Sequence, residues 1–112
     1  LAVFASDYQA LALRTAGNRT PREGLVAAAL GLNGEAGEVA DLVKKVEFHG
    51  HELDEAHLKE ELGDVTWYIA LACDSMGWDF GDIMRGNLEK LARRYPQGFS
   101  TEASIARVDK AS

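Results

Sequence analysis

Two short segments hold the residues best suited to chemistry. Placed one above the other, "GEAGEV" (34–39) and "EELGDV" (60–65) align Glu35 with Glu61, Gly37 with Gly63, Glu38 with Asp64 and Val39 with Val65. The core leucines that precede them, Leu32 and Leu58, align as well. At about 100° per residue, each segment read as a helix presents an i, i+3 carboxylate pair at one edge of its apolar stripe. If the two stripes face each other, four carboxylates converge, and their repulsion at partial burial drives some of them to take up protons. A hard divalent cation removes that conflict. An oxygen-only set suits Mg²⁺, with Mn²⁺ as a substitute, and such ions usually keep waters or substrate phosphates. The plainer alternative is two exposed acidic edges that share a pattern. Glycine inside a helix costs about 1 kcal/mol relative to alanine, so Gly37 and Gly63 are expected to provide clearance for close helix approach beside the metal.

Other chemistries fit less well. A di-iron bundle needs Glu-x-x-His on two helices, and no histidine here stands three residues after a glutamate. His49, His51 and His57 lie in or near one interhelical loop and read as loop residues rather than metal ligands. Cys73, in "YIALACDSMG", reads as core filler. Side chains that could meet an anion are Lys45, on the same side of its helix as Glu38, and the i, i+3, i+7 set of the neutral amide Asn87 with the cations Lys90 and Arg94. A salt bridge with Asp41 explains Lys45 equally well, and a solvated polar face is the alternative for the other three. Trp67, Tyr68 and Trp78 offer flat surfaces, with packing as good an explanation for Trp67 as stacking on a base.

The elements that must position these residues are helices. Pro21 and Pro96 fall near element ends. Periodicity predicts a short helix over about 4–16, then long ones over about 22–48, from an Asp54 N-cap to "SMGWD", and from an Asp79 N-cap to "RYPQG". The tail, 97–112, is weakly patterned, with one or two helical turns expected in "TEASIARV". Leu25, Ala29, Leu32, Ala36, Val39, Val43 and Val46 recur at helical spacing, as do Leu58, Leu62, Val65, Ile69, Ala72 and Met76. Both sets are expected to be core stripes. The fourth helix carries a further stripe of Phe80, Met84, Leu88 and Leu91. No stretch alternates with period two, so the expectation is an all-α bundle forming a single domain over 1–112, with its core at about 4–96.

Charge and composition narrow the partners. The net charge of −6 argues against binding a nucleic acid polymer, which calls for clustered Lys and Arg. An acidic chain can still hold a small polyphosphate through divalent cations. No apolar run approaches the ~20 residues that span a bilayer, so no membrane partner is expected. The first residues lack the pattern of a secretory signal, and a lone cysteine fits a reduced, cytoplasmic setting. The chain begins with Leu1 rather than methionine.

With these residues in place, the chain resembles the MazG-like family of all-α nucleoside triphosphate pyrophosphohydrolases. The likeness rests on "GEAGEVADLVKK", "EELGDVTWYIA" and "NLEKLARRYPQGFS", and covers about 25–100. The family pattern is EExxE followed one loop later by ExxD. The resemblance implies a four-helix bundle whose site is built between associating subunits, as a homodimer or tetramer. It implies Mg²⁺-dependent hydrolysis of a nucleoside triphosphate to the monophosphate and pyrophosphate, in removing non-standard or excess nucleotides. It makes Glu35, Glu38, Glu61 and Asp64 the metal-binding and catalytic carboxylates. Substrate contacts are expected from Lys45, Asn87, Lys90, Arg94 and Trp67, the Asn and Lys because the family carries them ahead of a similar RYPxGF segment. The chain departs from the pattern at Gly34, where the family has its first glutamate. Glu60 is no obvious replacement, since it projects about 100° away from Glu61. Two alternatives remain: an all-α dUTP or dCTP diphosphatase, and a non-catalytic helical module that binds metal or nucleotide.

Overall fold

The computed structural model describes residues 3–106 and is built of helices, with no strand among those residues beyond an isolated bridge between Pro96 and Gly98. The chain forms two compact units that divide between Phe80 and Gly81.

In the first unit, α1 (Ala5–Ala12) runs into a 3₁₀ turn (Leu13–Thr15), followed by α2 (Pro21–His49) and α3 (Glu55–Met76). Each start is written locally in the sequence. Thr20 and Glu23 form a capping box: Glu23 N–H donates to Thr20 Oγ1 (3.1 Å) and Thr20 N–H donates to Glu23 Oε1 (2.9 Å). Pro21 fills the first turn, where its missing N–H costs nothing. The Thr20 N–H, and then the Thr20 hydroxyl, hold the Glu23 carboxyl below its usual range. Asp54 starts α3 as expected, its Oδ1 accepting from His57 N–H at 3.0 Å. Between the helices, Gly50 takes the left-handed conformation (φ 71°) and stops α2.

The α2–α3 hairpin is antiparallel. Gly24 meets Ser75 and Gly31 meets the Tyr68 ring, so closely that a Cβ at either glycine would collide. Further along, Glu35 meets Glu61. The seam on α2 therefore runs through Gly24, Ala28, Gly31 and Glu35, and on α3 through Glu61, Val65, Tyr68, Ala72 and Ser75. Among the described residues, Ala28, Ala70, Leu71 and Cys73 are the buried apolar side chains. Burial pushes the Cys73 thiol up, in keeping with a filler role.

Two expectations need correction. The stripe read as the core of α2 lies beside the seam, roughly 60–100° round the helix from it. Leu25, Ala29, Ala36, Val43 and Val46 are exposed, and so are Leu62 and Met76 of the α3 stripe. On α2 small residues line the seam because they allow close approach, while Leu25, Val43 and Val46 remain outside it. The clearance expected of Gly37 and Gly63 is likewise absent: a Cβ at Gly34, Gly37 or Gly63 would meet nothing within 4 Å.

The first helix is fastened to α3 and to the turn beyond it. Trp67 Nε1–H donates to the Ala12 carbonyl (3.2 Å) and to Thr15 Oγ1 (3.0 Å). Thr66 Oγ1 donates to the Gly63 carbonyl (2.6 Å) and lies 3.1 Å from the Tyr8 hydroxyl. Gln9 uses both ends of its amide: Nε2 donates to the Trp78 carbonyl (2.9 Å), and Oε1 accepts from Phe80 N–H (2.7 Å).

In the second unit, α4 (Phe80–Arg94, opening at the boundary) carries an Asp82–Arg85 ion pair at 2.7 Å. A tight turn follows, with Gly98 N–H donating to the Tyr95 carbonyl (3.1 Å). The Tyr95 and Phe99 rings sit 5.2 Å apart. Ser100 Oγ accepts from Ala103 N–H and starts α5 (Thr101–Ala106), within the tail segment where a turn or two was expected.

Candidate metal centre

Glu35 and Glu61 occupy seam positions, so the hairpin brings two carboxyl groups together. Asp64, one turn along α3, joins them. One oxygen from each of Glu35, Glu61 and Asp64 lies within 4.8 Å of the other two. Glu35 is half-buried, and its Oε2 is buried with no hydrogen-bond partner. A hydrogen bond with Glu61, then burial, then the charges of Glu61, Asp64 and Glu38 raise the Glu35 carboxyl to about 7. An orphaned oxygen beside two further carboxylates is a donor set that fits a hard divalent cation.

Glu38 stands outside that group on the exposed edge of α2, where its charge acts on both Glu35 and Lys45. The fourth expected carboxylate thus reaches the site as a charge rather than as a neighbouring oxygen. Gly34 is also exposed on α2, and a Cβ there would meet nothing within 4 Å.

The side chains expected to meet an anion fall into two groups. Lys45 Nζ lies 2.8 Å from Asp41 Oδ2, and Lys44 Nζ lies 3.4 Å from Asp41 Oδ1. The pairing with Lys45 pulls the Asp41 carboxyl below its usual range, and Asp41 in turn raises Lys45. Asn87, Lys90 and Arg94 lie along α4 in the second unit; the first two are exposed, and the Arg94 guanidinium sits 6.0 Å from the Tyr95 ring centre. Trp67 is half-buried with its N–H directed at Ala12 and Thr15, so the structure gives it the work of holding α1. An open cavity of about 430 Å³, lined by residues that include Gln9, Asp74 and Trp78, lies at the opposite end of α3 from Glu61.

One contact escaped the sequence reading. His57 belongs to the first turn of α3, and its Nε2 lies 3.0 Å from Glu61 Oε1. The signal was present as His57-x-x-x-Glu61, an i, i+4 spacing.

Among known proteins, residues 25–99 match the MazG nucleotide pyrophosphohydrolase domain. The chain is 38% identical over 87 residues to "Gene 37 protein" of Mycobacterium phage L5, covering 74% of this chain and 76% of the relative. It is 36% identical over 70 residues to "Uncharacterized protein YvdC" of Bacillus subtilis (strain 168), covering 54% of this chain and 66% of the relative. No solved structure gives a significant match. A family match over most of the chain, falling on the hairpin that gathers the carboxylates, places this protein in the MazG nucleotide pyrophosphohydrolase family.

Proposed function

We propose that the chain is a Mg²⁺-dependent nucleoside triphosphate pyrophosphohydrolase that converts a (d)NTP into the (d)NMP and pyrophosphate, clearing non-standard or excess nucleotides in the cytoplasm. The observation that carries this reading is the convergence of Glu35, Glu61 and Asp64 in a chain of this family. These three residues would hold Mg²⁺ or Mn²⁺, with Glu38 as the fourth carboxylate at the exposed edge. When bound, such a cation neutralises phosphate charge and lowers the pKa of water. Phosphoryl transfer asks the protein mainly for positioning and charge neutralisation. Lys45, Asn87, Lys90 and Arg94 are the proposed contacts to phosphate and sugar, and Trp67, whose N–H ties α1 to α3, is the proposed surface for the base. Glu35 must lose its proton to act as a ligand, so cation binding strengthens as pH rises towards and through about 7.

A homodimer or a tetramer of dimers is part of the same proposal. Support comes from the exposed stripe of Leu25, Val43, Val46, Leu62 and Met76. Soluble monomers rarely leave extended apolar patches open, and pairing of two identical faces about a two-fold axis would cover this one.

The deciding experiment is a nucleotide panel with Mg²⁺ in which pyrophosphate and monophosphate are followed together. Equimolar release of both, abolished by a chelator, is expected. Release of orthophosphate alone would contradict the reaction. Gly34 favours one other reading, a non-catalytic helical module, which metal binding without turnover of any nucleotide would select.

A further inference from the structure

His57 is fixed at both ends. Its backbone N–H donates to the Asp54 cap at 3.0 Å, so the ring starts from an anchored point in the first turn of α3. The ring then reaches one turn along the helix, placing Nε2 3.0 Å from Glu61 Oε1. The contact joins a half-exposed imidazole (43%) to a largely buried carboxylate (13%), so it links the surface to the inside of the acidic group. Glu61 is the carboxylate that the ring touches, and one of its oxygens lies within 4.8 Å of both Glu35 and Asp64.

We propose that His57 is a positioning residue for the carboxylate centre. With the proton on Nε2, the ring donates to Glu61 Oε1, fixes the plane of that carboxylate and leaves its second oxygen to be offered beside Glu35 and Asp64. Outer partners of this kind orient metal-binding carboxylates, and their removal typically costs 10–100-fold in metal affinity or activity. The inference rests on the proposed metal-dependent reading and adds the device that sets the geometry of one ligand.

The test is a calorimetric titration of the metal-free protein with Mn²⁺ alone, in the parent chain and in His57→Ala, His57→Gln and His57→Asn. Thermal melts of all four confirm that the half-exposed position tolerates the changes. His57→Ala is expected to weaken Mn²⁺ binding about 10-fold or more. His57→Gln should restore most of the loss, because its amide nitrogen can reach the place of Nε2. His57→Asn, whose amide corresponds to Nδ1, should not. In turnover, the Mg²⁺ concentration for half-activation should rise in His57→Ala while kcat at saturating Mg²⁺ stays within a few-fold. Unchanged Mn²⁺ affinity in His57→Ala overturns the proposal, as does equal weakness of the Gln and Asn variants, which would make the ring itself a ligand. Mn²⁺ binding without hydrolysis of any nucleotide defeats the pyrophosphohydrolase reading while the titrations still decide the role of His57. Absence of Mn²⁺ binding in the parent chain defeats both.

Discussion

The two ends of the α2–α3 hairpin are built on opposite principles. At the end near Gly24 and Ser75, small residues let the helices touch, and Ala28, Ala70, Leu71 and Cys73 are packed away from water. At the other end the same seam holds Glu35 and Glu61, one carboxyl oxygen has no partner, and Gly34, Gly37 and Gly63 face open space. The first end gains stability from apolar burial and contact. The second concentrates like charges at a cost to stability, an arrangement that makes sense when a ligand relieves it. Fold and chemistry are thus divided along a single pair of helices.

The sharpest way to break this division is to remove a carboxylate. Asp64→Asn should lower nucleotide turnover by more than about 100-fold, since even outer groups of metal sites cost 10–100-fold, with little change in the melting temperature without metal. Activity close to the parent's would end the assignment of the acidic end as the reactive one. A side chain at the tight end should do the reverse. Gly31→Ala drives a Cβ into the Tyr68 ring, and overpacking of this kind costs about 1–3 kcal/mol, read from urea denaturation.

A smaller effect separates the ends by pH. The folded-state pKa of Glu35, about 7, lies above its usual 4.5, so between those values the folded chain binds more protons than the unfolded one. Its contribution to metal-free stability is therefore complete below pH 4.5 and lost as pH rises through about 7. The difference in stability between the parent and Glu35→Gln should change across that window, and melts at pH 5 and pH 8 would detect it. A flat difference would remove Glu35 from the charge conflict. The smallest change expected is a gain of up to about 1 kcal/mol from Gly37→Ala, the helix-propensity term with no collision to oppose it. Destabilisation there would mean that the open face is occupied in solution.

Much of this was legible in the chain itself. Helix limits followed from Pro21, Asp54 and Pro96, and the aligned "GEAGEV" and "EELGDV" segments led to three carboxylates that do meet. The seam was harder to place. A search for large apolar residues at helical spacing finds Leu25, Val43 and Leu62, whereas the contact line between these helices is made by Gly24, Ala28 and Gly31, which carry almost no hydrophobic signal. That apolar pattern puts Glu35 and Glu61 at an edge rather than on the seam. The sequence pattern groups His57 with the loop because its partner is defined by three-dimensional reach, and the one-turn spacing to Glu61 is common on any helix. Glu38 has the right spacing for the cluster, but a three-residue step turns it about 60° from Glu35, towards solvent.

Gln9 carries a consequence for how the first unit opens. Because one amide grips both the Trp78 carbonyl and the Phe80 N–H, the N-terminal helix cannot peel away without also releasing the backbone where α3 gives way to α4. Two segments some seventy residues apart in the chain therefore fray together, as one cooperative unit of local unfolding. Amide hydrogens in α1 and in the 78–80 turn should exchange with solvent at linked rates, and a change that loosens one will be felt as lost protection in the other.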